Sequence, residues 1–120
     1  MKTKEDLFVV EDLFRVGSSE SPKLDNVRNR DIEISYSEGR AIVLPNTGGI
    51  SVFNKINPRL RGIWWRCSAG TPYPGELTIV CDSDRQGLRH YLIQPTYPME
   101  LEVYKSKLLE FAEKFERVML

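Results

Sequence analysis

The sequence is poor in the residues that build disulfides and metal sites. It has two cysteines, Cys67 and Cys81, and one histidine, His90, in 120 residues. The cysteines lie among apolar neighbours and form no Cys-x-x-Cys motif, so we expect reduced thiols in a cytoplasmic protein rather than a disulfide. A single histidine without clustered acidic residues argues against a metal site.

An excess of charge and long apolar runs are also lacking. The 17 Lys and Arg residues balance the 17 Asp and Glu residues. Binding of duplex nucleic acid usually needs a basic excess, so we do not expect it as the main partner. No apolar run approaches the ~20 residues of a membrane-spanning helix. The charged residues 1–6 and the short apolar stretch 7–10 do not make a signal peptide, so any export would use another route.

The chain contains no Gly-x-Gly-x-x-Gly, Walker, Gly-x-Ser-x-Gly or His-Glu-x-x-His string, which removes the most recognisable nucleotide, hydrolase and metalloprotease signatures. Its hydrophobic fraction of 41% suffices for one compact core. We therefore expect a single domain over residues 1–120.

Alternating apolar and polar residues predict several short strands followed by one helix. The strands are expected near residues 12–16, 32–35, 41–44, 63–67, 77–81 and 90–94, with a hairpin turn at 37–40 and a longer turn over 82–88.

Apolar residues recur at three- and four-residue steps from Leu101 to Val118 and predict a helix over residues 98–118. Pro98 would occupy its first position, while Lys114 and Arg117 would complement the negative end of its dipole. Strands followed by a terminal helix indicate the α+β class.

The segment 46–53, Asn-Thr-Gly-Gly-Ile-Ser-Val-Phe, carries the strongest local signal. Gly48 and Gly49 permit positive φ and let a ligand approach main-chain N–H groups. Thr47 and Ser51 place hydroxyls on either side. Most Gly-Gly pairs are simple turns, so the pattern alone leaves both interpretations open.

Arg15 and His90 are the other candidate site residues. Arg15 lies on the opposite face of a short strand from Phe14 and Val16, where it would be either a clamp for phosphate or carboxamide or a solvated arginine. His90 would be either a general base that meets a substrate hydroxyl or a hydrogen-bonded structural residue.

Three separated blocks occur in a distinctive order. They are Leu13-Phe14-Arg15, then Thr-Gly-Gly-x-Ser-Val-Phe, then His90-Tyr91 followed by Pro98-Met99 and the helix. In this order they resemble a family of small bacterial type VI secretion effector toxins with an ADP-ribosyltransferase-like fold. The resemblance covers most of the chain from Leu13 onward, and it implies a split antiparallel β core, a C-terminal helix and a cleft for NAD.

The resemblance also implies site residues. The family's ligand-contacting arginine falls on Arg15, its hydroxyl pair on Ile50 and Ser51, and its histidine on His90. Arg15, Ser51 and His90 would thus be catalytic, and Arg15, Thr47, Ser51 and His90 would converge on one cleft. The residues expected to contact NAD are Arg15, Thr47, Gly48, Gly49, Ser51 and His90.

The implied function is a growth-inhibiting toxin that acts inside a target cell, in its cytoplasm. It would use NAD for ADP-ribosyl transfer or NAD hydrolysis, through an oxocarbenium-like state that needs positioning and charge stabilisation. A cognate immunity protein and a cellular acceptor would be its partners.

The sequence departs from the family pattern in three ways, of which the lost threonine and the absent glutamate pair favour an alternative function. Asn46 replaces an aspartate, Ile50 replaces a threonine, and no Glu-x-Glu pair is visible at the late position that corresponds to that of many ADP-ribosyltransferases. The alternative is a non-catalytic interaction domain, or an inactive toxin remnant that keeps the fold for binding a partner. If the protein is catalytic, a threonine restored at position 50 is expected to keep or raise its activity.

Overall fold

A computed structural model describes residues 7–119, so the expectation about residues 1–6 concerns a part of the chain outside this range. The described residues form nine strands and one helix. In chain order they are β1 (Leu13–Gly17), β2 (Ile34–Ser37), β3 (Arg40–Val43), β4 (Ile50–Phe53), β5 (Ile63–Cys67), β6 (Leu77–Arg85), β7 (Leu88–Pro95), β8 (Met99–Glu100), α1 (Leu101–Ala112) and β9 (Glu116–Arg117).

The strands form two antiparallel sheets. The larger has the order β6-β7-β4-β1-β5-β9, and the smaller has the order β2-β3-β8. With α1 at the C-terminal side, this arrangement confirms the predicted α+β class with an antiparallel β core. α1 has 12 residues, and among residues 7–119 there is no helix with the length and apolar character needed to cross a membrane.

The middle of the larger sheet is its least paired junction. β1 and β4 share one residue pair, Phe14 with Phe53. By contrast, β1 pairs with β5 along its whole length from Leu13 to Gly17, and β4 pairs with β7 along its whole length as well. The sheet is therefore two three-stranded halves that meet at β1 and β4 and then separate, which is the predicted split.

One face of the larger sheet is buried against α1. Strand alternation places Leu13, Ile50 and Ile93 on this core face, where each is at most 1% exposed. The Tyr104 hydroxyl of α1 donates to the carbonyl oxygen of Ile93 at 2.5 Å and ties the helix to β7. The apolar stripe predicted for the helix is correct, because its buried residues are Tyr104, Leu108 and Phe111.

The predicted bounds of the helix are wrong at both ends. Met99 and Glu100 pair with β3 as β8, so Pro98 precedes a strand and not the helix. After Ala112 the chain turns, and Glu116–Arg117 pairs with β5 as β9. Lys114 and Arg117 thus lie beyond the helix, whose last turn contains no basic residue. Helical periodicity predicted residues 99–100 and 116–117 in the helix, but they belong to the edge strands β8 and β9.

The two hairpins differ in how well they were predicted. The turn at 37–40 is confirmed, with positive φ at Glu38 and Gly39. The turn predicted over 82–88 is wrong, because β6 continues to Arg85 and the reversal needs only Gln86 and Gly87. Residues 83–85 pair with β7 and so extend β6, which the sequence pattern did not predict.

The adjacent glycines at 48 and 49 are required by close contact between main chains. A Cβ on Gly48, where φ is +142°, would lie 2.1 Å from the carbonyl oxygen of Asp31. A Cβ on Gly49 would lie 2.5 Å from the carbonyl oxygen of Ile93. The Gly49 N–H also donates to the Asp31 carbonyl at 2.8 Å. Because these two glycines lack a Cβ, the start of β4 can pack closely against both the loop before β2 and the main chain of β7.

This packing predicts that Gly49→Ala lowers the free energy of unfolding by about 3 kcal/mol, since the new methyl group meets backbone that cannot move alone. Gly39→Ala is the control. It has φ of +75° but nothing within 4 Å of the added Cβ, so it should lose only about 1 kcal/mol. Urea unfolding measures both, and an equal or smaller loss for Gly49→Ala would contradict the packing.

Candidate functional site

Arg15 is a clamp for main-chain carbonyl groups on the core side of the sheet. Its Nε donates to the Pro22 carbonyl at 3.0 Å, Nη1 to the Ser51 carbonyl at 2.7 Å and Nη2 to the Lys23 carbonyl at 3.0 Å. Burial lowers the pKa of the guanidinium. β1 and β4 separate beyond Phe14, so no N–H of β1 pairs with the Ser51 carbonyl. The Arg15 guanidinium donates to this carbonyl instead.

Thr47 closes the turn that precedes the glycines. Its Oγ1 donates to the Leu44 carbonyl at 2.8 Å and accepts the Glu33 N–H at 3.1 Å. The neighbouring Asn46 N–H donates to the side-chain oxygen of Gln94 at 2.9 Å. Thr47 and the glycines thus hold the connection between the two sheets, and their contact with NAD stays a prediction.

Ser51 and His90 share the other face of the sheet. Ile50 and Val52 point into the core, so alternation along β4 places Ser51 and Phe53 on the opposite face. Phe53 pairs with His90 on β7, and their ring centroids are 5.0 Å apart. Ser51 and His90 are therefore diagonal neighbours across two strands, a relation that puts side chains about 7–8 Å apart.

Asp82 is the acidic partner of His90, and the sequence analysis missed it. The β6–β7 register shifts between Cys81 and Ser83, so Asp82 is the extra residue of a β-bulge. Its Oδ1 lies 2.5 Å from His90 Nδ1. We assign the Nδ1–H donor to His90 and the acceptor to the Asp82 carboxylate oxygen, and in the neutral form of this ring Nε2 is the acceptor.

A groove of about 800 Å³ opens beside His90. The loop after β4 forms one wall and the end of the β6–β7 hairpin forms the other. Arg59 and Arg85 bring exposed guanidinium groups to it, and Phe53 brings a half-buried ring. Neither arginine was singled out from the sequence, where Arg59 lies in a stretch without periodicity. We call this space the groove and this side of the sheet the groove face.

The larger sheet separates Arg15 from His90, so the expected convergence of these side chains on one cleft is wrong. Arg15 lies beside Leu13 on the core face, whereas His90 lies on the groove face. Ser51 connects the two, because its carbonyl accepts from Arg15 while its side chain points to the groove face. Which of these residues touch NAD stays a prediction.

The position of the Ile50 side chain bears on the expected effect of restoring the family's threonine there. Its side chain is 1% exposed and packs in the core. A threonine hydroxyl at this position would be buried among apolar side chains and would not reach the groove face. The expectation that Ile50→Thr supplies a pocket hydroxyl therefore loses its geometric basis.

The clamp predicts that Arg15→Lys lowers the free energy of unfolding by about 1–3 kcal/mol, since one ammonium cannot serve three carbonyls in the same fork geometry. Arg66→Lys is the matched control on neighbouring β5. Arg66 is exposed, so its replacement should change stability by about 0.5 kcal/mol or less. Equal urea midpoints for both variants would show that the clamp is dispensable.

A comparison with known protein families identifies the family of this chain. The family model described as Tse2 ADP-ribosyltransferase toxin matches residues 11–119. No curated protein matches the sequence. The matched range holds every strand of both sheets, α1, the Arg15 clamp and the His90–Asp82 pair. Because the match spans nearly the whole chain, the protein belongs to the Tse2 family of ADP-ribosyltransferase toxins, and the resemblance predicted from its three sequence blocks is confirmed.

Proposed function

We propose that this chain is a growth-inhibiting toxin that binds NAD in the groove and transfers ADP-ribose to an acceptor or to water. The observation that carries the proposal is the His90–Asp82 pair at the groove of a chain from this family. Membership in an ADP-ribosyltransferase family supports NAD as the co-substrate.

The groove has the size and chemistry that a dinucleotide needs. Its volume of about 800 Å³ falls within the usual range for small-molecule sites. Arg59 and Arg85 offer planar guanidinium groups that suit a diphosphate. Phe53 offers a ring face for a planar base, and the Ser51 hydroxyl lies on the same face for a ribose oxygen.

NAD supplies the ribosyl carbon whose bond to nicotinamide is broken. In the proposed mechanism, Asp82 orients the His90 ring and stabilises it when it is protonated, and His90 Nε2 takes the proton from the acceptor hydroxyl or water. Ser51 orients the ribose. Arg15 contributes by positioning Ser51 from the core side, and Gly48 and Gly49 contribute by fixing the start of β4.

The biological setting follows from the same family. We propose that the protein is delivered by a type VI secretion system, acts in the cytoplasm of a target cell and is neutralised in the producing cell by a cognate immunity protein. The support is its membership in a family of toxins. A toxin that modifies cellular components must be kept inactive where it is made.

A non-catalytic binding domain is the second candidate. The absence of a Glu-x-Glu pair at the late position that corresponds to that of many ADP-ribosyltransferases favours it. Under this alternative the groove would hold a ligand or a partner without turnover. Nicotinamide release by the purified protein separates the two functions.

The proposal predicts that His90→Ala lowers NAD turnover by ~10²-fold or more, the usual contribution of a positioned general base. Asp82→Asn should lower it less, since the amide oxygen still accepts the Nδ1–H but carries no charge. Asp12→Asn is the matched control. The Asp12 carboxylate accepts the Ala69 N–H at 2.9 Å, and this contact lies outside the groove. The amide oxygen of an asparagine can accept the same N–H. Chromatography of released nicotinamide measures turnover, and circular dichroism checks folding.

The outcomes discriminate clearly. Turnover that is equal in wild type and His90→Ala would remove His90 from the mechanism. Binding of NAD without turnover in wild type would support the second candidate. In cells without an immunity protein, wild type and Asp12→Asn should arrest growth, whereas His90→Ala should relieve the arrest.

A further inference from the structure

Four donor groups converge on the carboxylate of Glu11, just before β1. Arg89 donates to both oxygens, with Nε 2.7 Å from Oε2 and Nη2 2.8 Å from Oε1. Asn54 Nδ2 lies 3.3 Å from Oε1, and the Tyr91 hydroxyl donates to Oε2. This two-pronged arginine contact is the strong form of an ion pair. We call these four residues the Glu11 network.

The partners of Glu11 are the sequence neighbours of the groove residues. Arg89 and Tyr91 flank His90 on β7, and Asn54 follows Phe53 at the end of β4. Alternation directs the Arg89 and Tyr91 side chains to the face opposite His90. Glu11 therefore holds, from the core side, the same stretch of β7 that presents His90 to the groove.

Asn54 binds the two strand ends to each other. Its N–H donates to the Arg89 carbonyl at 3.1 Å, and its Oδ1 accepts the Arg89 N–H at 2.8 Å. Its Nδ2 also donates to the Gly87 carbonyl at 3.0 Å. Asn54 is only 9% exposed, so a lost partner would leave a nearly buried polar group unsatisfied.

The protonation states of Glu11 and Tyr91 define the donor and the acceptor in each hydrogen bond of the network. The hydrogen bonds from Arg89 lower the pKa of Glu11 to about 2, against the opposing effect of burial. Burial, and then Glu11 itself, raises the pKa of Tyr91 to about 12. At neutral pH the carboxylate is ionised and the phenol is protonated, so each hydrogen bond has one defined donor. Asp84 is a second carboxylate near Arg89 among residues 7–119, with Oδ2 3.4 Å from Nη1.

We propose that Glu11 is a positioning residue for the groove: by anchoring Arg89, Tyr91 and Asn54 it keeps the His90 ring between Phe53 and Asp82. This inference rests on the proposed function for its catalytic consequence. Without the Glu11 carboxylate, Arg89 retains Asp84 as its acidic partner. Asp84 belongs to β6, the strand whose bulge carries Asp82, so the change would reach the His90–Asp82 contact directly.

Stability against pH tests whether the carboxylate is the anchor. The pKa of Glu11 falls from an ordinary 4.5 to about 2 on folding, so its stabilisation is complete about one pH unit above 4.5 and is lost as pH falls towards 2. The difference in urea midpoint between wild type and Glu11→Gln should be constant above about pH 5.5 and should shrink below it. A difference independent of pH would overturn the ionised anchor.

The decisive experiment uses the fact that His90 is the only histidine in the sequence. Protein labelled with ¹⁵N-histidine gives one ring spin system, whose two nitrogen shifts report the tautomer without involving NAD. Wild type should show a protonated Nδ1 and a bare Nε2, with contacts to the Phe53 ring. In Glu11→Gln the two nitrogen shifts should move towards each other, the Phe53 contacts should weaken, and kcat should fall about tenfold while KM changes by about twofold or less.

The control is Glu100→Gln, which removes a carboxylate paired with Arg40 on the smaller sheet. It should leave the His90 ring signals unchanged. If Glu11→Gln does not fold, Tyr91→Phe removes one donor and should shift the ring signals in the same direction. Unchanged His90 signals in a folded Glu11→Gln or Tyr91→Phe variant would overturn the inference. A wild type without NAD turnover would overturn the proposed function but leave this test decisive.

Discussion

The Arg15 guanidinium fills the gap where β1 and β4 separate, and the arrangement of the larger sheet depends on that contact. The two three-stranded halves share only the pair Phe14 and Phe53. A gap beyond this pair would leave the Ser51 carbonyl without a ladder donor, and a half-buried carbonyl without a partner is costly. Arg15 supplies that donor and fastens the loop at Pro22 to the same point. The split of the sheet is thus stabilised by one side chain, which explains why a charged group is held half-buried on the core face.

With the halves fixed in this way, strand alternation assigns opposite tasks to the two faces. The core face holds α1, the Arg15 clamp and the Glu11 network, all of which restrain backbone. The groove face holds Ser51, His90 and the exposed arginines, all of which can meet a ligand. Asp82 reaches His90 because a bulge inserts one extra residue in β6. The chemistry that we propose therefore uses one side of the sheet, and the contacts that support its geometry lie on the other.

The sequence predicted the features that depend on local periodicity and on family pattern. The α+β class, the hairpin at 37–40, the apolar stripe of α1 and the family itself are confirmed. The ends of the helix were wrong because β8 and β9 pair with strands far away in sequence, which no local pattern encodes. Asp82 was missed because a bulge is set by the partner strand. Arg15 and His90 were expected together because sequence order does not say which face a side chain occupies until the register is known.

We propose above all that NAD binds on the groove face. Titration of ¹⁵N-labelled protein with NAD, followed by amide chemical shifts, tests it most directly because the readout covers both faces at once and does not require turnover. If NAD binds there, the largest shifts will occur at Phe53, Arg59, Arg85 and His90. Largest shifts at Arg15 and at residues 47–49, with those four amides unchanged, would contradict it and place the ligand on the core side of the sheet.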